Sequence, residues 1–145
     1  MVLSGTIART LDEKQRVAVP KRLLDDFGET DLASLFVAPG TEKSLLIYSP
    51  AGFERLARRM AKKTSQPAQV RHFKRLFYSR AERVDLDAQG RIRIPERLVD
   101  FALLKRDVVL LGVQDHMELW DAAAWSTFLE QTSAGFDQIA DAALE

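Results

Sequence analysis

A fifteen-residue segment occurs twice in this chain without a gap, and nothing else constrains its fold as strongly. Leu11-Asp12-Glu13-Lys14-Gln15-Arg16-Val17-Ala18-Val19-Pro20-Lys21-Arg22-Leu23-Leu24-Asp25 returns 75 positions later as Leu86-Asp87-Ala88-Gln89-Gly90-Arg91-Ile92-Arg93-Ile94-Pro95-Glu96-Arg97-Leu98-Val99-Asp100. Seven of the fifteen positions are identical and three more exchange one branched aliphatic residue for another. The common frame is L-D-x-x-x-R-[VI]-x-[VI]-P-x-R-L. A repeat of this size marks one supersecondary unit used twice.

The frame reads as strand, turn, strand and helix start. Val17 and Val19, like Ile92 and Ile94, alternate with small or polar neighbours, the period-two pattern of a half-buried strand. Pro20 and Pro95 close that strand and suit the first helical turn, where a missing N–H is harmless. Three residues separate Asp from Arg, a tight connection in which an Asp side chain accepts backbone N–H bonds. Gly90 suits a left-handed position there. Gln15 stands at the same place in the first copy, so that turn either strains or takes another shape. The paired Asp and Arg have two readings: an internal ion pair that pins the turn, or an Arg presented at a rigid loop tip and oriented by the Asp.

These residues resemble the swapped-hairpin DNA-binding element of AbrB-class bacterial regulators. Two such elements in a chain of this length, each with D-x-x-x-R, resemble the MraZ family of transcriptional regulators, and the resemblance covers essentially the whole chain. Carried over by position, the DNA-contacting motif falls on Asp12 to Arg16 and Asp87 to Arg91. The family usually ends both motifs in Lys-Gly-Arg; Lys14-Gln15-Arg16 lacks the Gly and Gln89-Gly90-Arg91 lacks the Lys. The resemblance implies an α+β fold in which internally duplicated ββαββ AbrB-like swapped-hairpin units form a small pseudo-twofold β-barrel with helices around it. It also implies a ring-shaped homo-oligomer on short direct repeats upstream of a division and cell-wall operon that contains its own gene.

The chain of 145 residues is long enough for one domain or two very small ones. Halves of this size sit near the lower limit for a self-sufficient core, so they are expected to pack on each other. The expected division is a first unit over 5–49, a basic helical connection over 50–81, a second unit over 82–121 and terminal helices over 122–145. With no cysteine there are no disulfides or thiolate metal sites. No stretch approaches a membrane span and the N-terminus does not read as a secretory signal, so a cytoplasmic, nucleoid-associated protein is expected. Formal net charge is zero, but the charges are segregated. Residues 55–83 hold ten Lys or Arg against one acid, and residues 114–145 hold seven acids and no Lys or Arg. Polyanion binding, head-to-tail pairing of basic and acidic surfaces, and solvated helix faces all remain open readings of that asymmetry.

Along the chain, Gly5 to Thr10 is predicted as a strand, Pro20 to about Phe27 as a helix stopped by Gly28, and Leu35 to Ala38 with Ser44 to Tyr48 as a hairpin. Ser49-Pro50 caps a helix over 50–63, broken at Thr64-Ser65-Gln66-Pro67, and a second helix covers Ala68 to Arg80. The second half repeats the plan: strands at Arg83 to Leu86 and Gly90 to Ile94, a helix from Glu96, a hairpin from Val108 to Trp120 with its turn at Gln114-Asp115-His116, and a helix capped by Asp121. Tyr48 and Phe53 correspond to Trp120 and Trp125, offset by 72, and are expected in the core. Phe136 to about Leu144 is a last, acidic helix.

No nucleophile motif, phosphate-cradling loop or metal-ligand spacing stands out, and His72 and His116 lie far apart, so no enzyme, cofactor, metal or small-molecule substrate is expected. Arg16 and Arg91 are the first candidates for DNA contact, because a guanidinium bonds guanine O6 and N7 bidentately. Lys14, Arg9, Lys21, Arg22, Arg93 and Arg97 are candidates for phosphate. Asp12 and Asp87 are expected to orient the Arg. Two alternatives stand beside this reading: an oligomeric interaction or scaffold module that does not bind DNA, and an AbrB-type antitoxin.

Overall fold

A computed structural model describes residues 2–63 and 67–145. The first copy supplies β1 (Thr6–Thr10), β2 (Arg16–Ala18), α1 (Lys21–Asp26), β3 (Ser34–Pro39) and β4 (Leu45–Tyr48). Helices α2 (Pro50–Ala61) and α3 (Pro67–Arg80) follow. The second copy supplies β5 (Glu82–Asp85), β6 (Arg91–Arg93), α4 (Glu96–Phe101), β7 (Asp107–Val113) and β8 (His116–Asp121). Then come α5 (Ala122–Thr132), a short 3-10 turn (Ser133–Gly135) and α6 (Phe136–Leu144). The predicted break at Thr64, Ser65 and Gln66 lies outside the described residues; Pro67 opens α3. His116, assigned to a turn from sequence, instead begins β8 and pairs with Val113.

The strands form an antiparallel six-stranded sheet in the order β1-β7-β8-β4-β3-β5, and a separate two-stranded ribbon of β2 and β6. Exchanging the copies maps this pairing onto itself. Strand β1 of the first copy lies on β7 of the second, and β5 of the second lies on β3 of the first. At the centre of the ribbon Val17 faces its own repeat counterpart Ile92, and at the centre of the sheet Leu46 faces its counterpart Glu118. The duplication is therefore built as a pseudo-twofold, with neither half closing without strands from the other.

The repeated frame makes this core. Val17, Val19, Leu23, Ile92, Ile94 and Leu98 are all buried in one cluster with Leu35, Val37, Leu110 and Leu119. Burying one such side chain is worth about 1.5–3 kcal/mol. Since period-two alternation sends Val17 and Ile92 inward, Arg16, Ala18, Arg91 and Arg93 necessarily share the outer face of the ribbon. Pro20 and Pro95 sit one residue earlier than predicted, as the N-caps of α1 and α4 with extended ψ of 139° and 141°. Each closes its strand, and its carbonyl starts the helix: Pro20 O accepts from the Leu24 N–H and Pro95 O from the Val99 N–H.

The expected aromatic pairs are packed. Tyr48 and Trp120 are buried, Phe53 stacks on Phe36 at 4.4 Å, and Trp125 meets Trp120 edge-on at 5.1 Å. Phe77 of α3 is buried against Phe53, whereas Phe73 remains 46% exposed. None of the described helices is long and apolar enough to cross a membrane.

Candidate nucleic-acid interface

The two D-x-x-x-R turns have the same geometry. In the first, the Asp12 carboxylate accepts from the backbone N–H of Lys14 at 2.9 Å and of Arg16 at 2.8 Å through Oδ1, and from Arg16 Nε at 2.8 Å through Oδ2. In the second, Asp87 Oδ1 accepts from the N–H of Gln89 and of Arg91, both at 2.9 Å, and Oδ2 accepts from Arg91 Nε at 2.8 Å. The backbone N–H of each Asp also bonds the carbonyl of its Arg, at 3.0 Å in both copies. The ion pair and the oriented-Arg arrangement thus coexist. The side chain of each Arg meets its Asp at Nε, which leaves the terminal guanidinium nitrogens outside that contact.

Backbone N–H bonds to Arg16 and Arg91 are the largest influence holding the Asp12 and Asp87 carboxyls below the usual carboxylate range, offset in part by desolvation and reinforced by the Arg side chains. Both carboxylates are therefore charged at neutral pH, and the Arg they hold is fixed by charge-assisted bonds. The turns also lock across the pseudo-twofold. The carbonyl of Gly90 accepts from the Val19 N–H at 2.9 Å, and that of Gln15 from the Ile94 N–H at 2.8 Å. Gln15 takes the same left-handed backbone as Gly90, with φ of 63° against 75°. Of the two outcomes open from sequence, strain is the one realised.

The ribbon sets the spacing of the candidates. Arg16 lies opposite Arg93, and Arg91 lies opposite Ala18. Three guanidiniums thus stand on one outer face, with Lys14 exposed at the tip of the first turn. Arg9 joins them from β1, its Nε donating to the Ala18 carbonyl at 3.1 Å. The other three candidates are engaged elsewhere. Lys21 pairs with Asp25 along α1 at 3.0 Å, Arg22 lies 3.7 Å from Asp26 and donates to the Ser4 carbonyl, and Arg97 meets Glu82 at 2.9 Å. The ribbon face therefore gathers Arg9, Lys14, Arg16, Arg91 and Arg93, and leaves Lys21, Arg22 and Arg97 at helix starts.

A polar cluster that sequence reading passed over ties α2 to the β7–β8 hairpin. His116 Nδ1 lies 2.7 Å from Asp115, its Nε2 lies 3.6 Å from Glu118, and its ring stacks on Tyr48 at 5.0 Å. Arg59 of α2 reaches Asp115 at 3.6 Å. Burial works against the charged imidazole, but the two carboxylates outweigh it and raise its pKa above the usual histidine value. The Asp115-His116 dipeptide was visible, but only the fold brings Tyr48, Arg59 and Glu118 around it. Among the described residues no group of three His, Cys, Asp or Glu gathers as a metal site.

The family model described as "MraZ protein, putative antitoxin-like" matches residues 2–76 and again residues 77–145. A relative from Finegoldia magna, named transcriptional regulator MraZ, is 30% identical over 90% of this chain and 89% of its own length. One of the same name from Methylococcus capsulatus is 38% identical over 83% of this chain and 80% of its own. A solution structure titled PHS018 from Pyrococcus horikoshii covers 80% of this chain and 94% of that chain at 12% identity, with a TM-score of 0.36.

Proposed function

The chain belongs to the MraZ family, and from that premise we propose that it is a sequence-specific DNA-binding transcriptional regulator. The observation that carries this reading is the pair of matching D-x-x-x-R turns on one ribbon, which fix Arg16 and Arg91 on the outer face that Arg93 shares. A two-stranded ribbon fits the major groove, and an Arg clamped through Nε still has its terminal nitrogens for guanine O6 and N7. Arg9, Lys14 and Arg93 flank them for phosphate contact, which positions the protein without reading sequence. Lys21, Arg22 and Arg97 reach phosphate only by leaving their carboxylate partners, so they rank below. Asp12 and Asp87 act on the Arg and stay off the DNA.

One such face offers few contacts on a chain of zero net charge. A ring of copies on short direct repeats upstream of its own division and cell-wall operon compensates for this, since linked sites add roughly 10²–10⁴ in avidity. Swapped hairpins closing as a small barrel would give the ribbon its rigid base, and a cytoplasmic, nucleoid-associated location follows from the DNA role. The test is fluorescence anisotropy with duplexes from upstream of the gene against scrambled duplexes across a salt series. Sequence-dependent binding that falls steeply with salt is expected; equal affinity for every duplex at low salt overturns the regulator reading.

One observation favours a second reading. The family description includes "antitoxin-like", and α6 has its apolar side uncovered, as a segment that captures a partner protein would. Under that reading the chain binds its partner more tightly than it binds any duplex.

A further inference from the structure

The ribbon is symmetric in its backbone but not in its side chains. Arg16 faces Arg93, Val17 faces Ile92 and Ala18 faces Arg91, so the pseudo-twofold runs through the central pair and exchanges the two ends. It carries Arg16 onto Arg91, each bonded to its own Asp at 2.8 Å. It also carries Ala18 onto Arg93, and there the equivalence fails. One end of the outer face has two guanidiniums directly opposite each other, and the other end has one guanidinium opposite a methyl group. Charge alone does not account for the difference. Arg9 of β1 lies beside Ala18, and Val84 of β5 is its counterpart at the other end, so each end has one arginine beyond the Asp-held one. The two extra arginines are not equivalent donors. Arg9 is half-buried and commits Nε to the Ala18 carbonyl and Nη1 to the Ala8 carbonyl, both at 3.1 Å. Arg93 is exposed, and of the two acids that border the same shallow hollow, Glu82 is already paired with Arg97 at 2.9 Å.

Like charges directly opposite on neighbouring strands repel, so the Arg16–Arg93 pair costs stability in the free protein and is relieved by an electronegative surface laid against it. In a major groove that surface is a phosphate or a base edge, and position favours the base. Arg93 is level with Arg16 on the same face and not at the margin of the ribbon. Cross-strand neighbours lie about 4.5–5.5 Å apart, between one and two duplex steps of about 3.4 Å, whereas the phosphates line the walls of a groove about 12 Å wide. A groove that brings Arg16 to a guanine therefore brings Arg93 to a neighbouring base pair. Ala18 offers no hydrogen bond there; its methyl suits a thymine methyl. We propose that Arg93 reads a guanine at one end of the ribbon only, and that Arg93 and Ala18 together give the ribbon a single direction on DNA. On a palindromic element, one half-site meets Arg16 with Arg93 and the other meets Arg91 with Ala18, so the two halves are not matched equally. This role rests on the DNA-binding reading above and adds a specificity-determining residue to it.

The test is anisotropy with the full chain on a duplex holding one preferred upstream element, its guanines replaced one at a time by 7-deazaguanine, which lacks the N7 acceptor. Arg93→Ala is expected to weaken binding to the unmodified element about tenfold to a hundredfold, with the oligomer intact by light scattering. One replacement that weakens the parent should have no effect in Arg93→Ala. That guanine should lie on the side of the element whose replacement is silent in Arg16→Ala, away from the one silent in Arg91→Ala. A second duplex repeats the Arg16 half as a palindrome. The parent should prefer the natural element, and Ala18→Arg should reverse the preference. If Arg93→Ala loses affinity equally for preferred and scrambled duplexes, with every replacement still felt, Arg93 touches phosphate only and the proposal is overturned. A parent that binds palindrome and natural element equally, or a preference that Ala18→Arg leaves unchanged, overturns the single direction. A parent that discriminates among duplexes but fails these tests overturns this role alone, whereas a parent without any sequence preference overturns the regulator reading with it.

Discussion

The turn at Gln15 and the turn at Gly90 close through the same hydrogen bonds to within 0.1 Å, yet only one has a glycine at its left-handed position. The two helix stops show the reverse. Gly28 ends α1 at φ of 73°, and 75 positions later Leu103 takes the same place at φ of 51°. Each copy has thus kept one glycine and forced a side chain through the other left-handed position. At the turn, the Asp carboxylate binds two backbone N–H groups and one guanidinium, which over-determines the loop and holds it against the strain. The D-x-x-x-R pattern, not the glycine, sets the shape that presents the Arg. The two copies also differ in their extra cation: Lys14 on the first turn, and Arg93 in place of Ala18 on the second strand.

If the two turns are functionally equivalent, breaking either Arg has the largest effect. Arg16→Ala and Arg91→Ala should each weaken binding to the preferred duplex about tenfold to a hundredfold, the worth of one bidentate base contact, with the oligomer intact by light scattering. Next come Asp12→Asn and Asp87→Asn, which leave each guanidinium in place but remove its fixed base. Several-fold losses are expected in anisotropy, smaller than those for the Arg variants and similar to each other.

The left-handed positions also have a measurable effect on stability. Gln15→Gly and Leu103→Gly should each raise stability by about 1 kcal/mol, and Gly90→Ala should lower it by about the same, all read by denaturant midpoint. A Cβ at Gly90 would meet only the Val19 carbonyl at an ordinary 3.5 Å, so the backbone angle alone sets that cost. A Gly90→Ala loss of several kcal/mol would mean that the two turns are not equivalent.

The smallest effect lies in the pH profile. With folded-state pKa values below 3.8, Asp12 and Asp87 contribute stability that is fully present above that value and lost as pH falls through the lowered ones. Neither produces a step near neutrality. His116 has the opposite sign: its folded pKa is raised above 6.5, so its contribution is present below 6.5 and lost as pH rises through the raised value. The thermal midpoint should therefore fall modestly across that window, and His116→Gln should remove the dependence.

The repeat frame made much of this legible. The strand alternation at Val17, Val19, Ile92 and Ile94, the prolines and the Asp–Arg spacing were enough to place the turns and the order of elements. Which strand pairs with which was not readable, because β1 finds β7 and β5 finds β3 across more than forty residues, and local pattern carries no information about such distant partners. The separation of the candidate cations was readable in part. Asp25 and Asp26 stand four residues after Lys21 and Arg22 on one short helix, whereas only the fold puts Glu82 beside Arg97. Of the His116 cluster, Asp115, His116 and Glu118 are near neighbours in sequence, but nothing local brings Tyr48 of β4 or Arg59 of α2 to them.

On the proposed function the two turns are one device used twice, each presenting an Arg to DNA, and that equivalence can be measured. It is tested most directly by anisotropy titrations of the parent, Arg16→Ala and Arg91→Ala on the preferred upstream duplex, with scrambled DNA as the reference. Comparable losses from the two substitutions are expected, with discrimination against scrambled DNA lost in both. A full loss in one variant with parental affinity in the other would contradict it, leaving one turn to read DNA and the other to hold the ribbon in place.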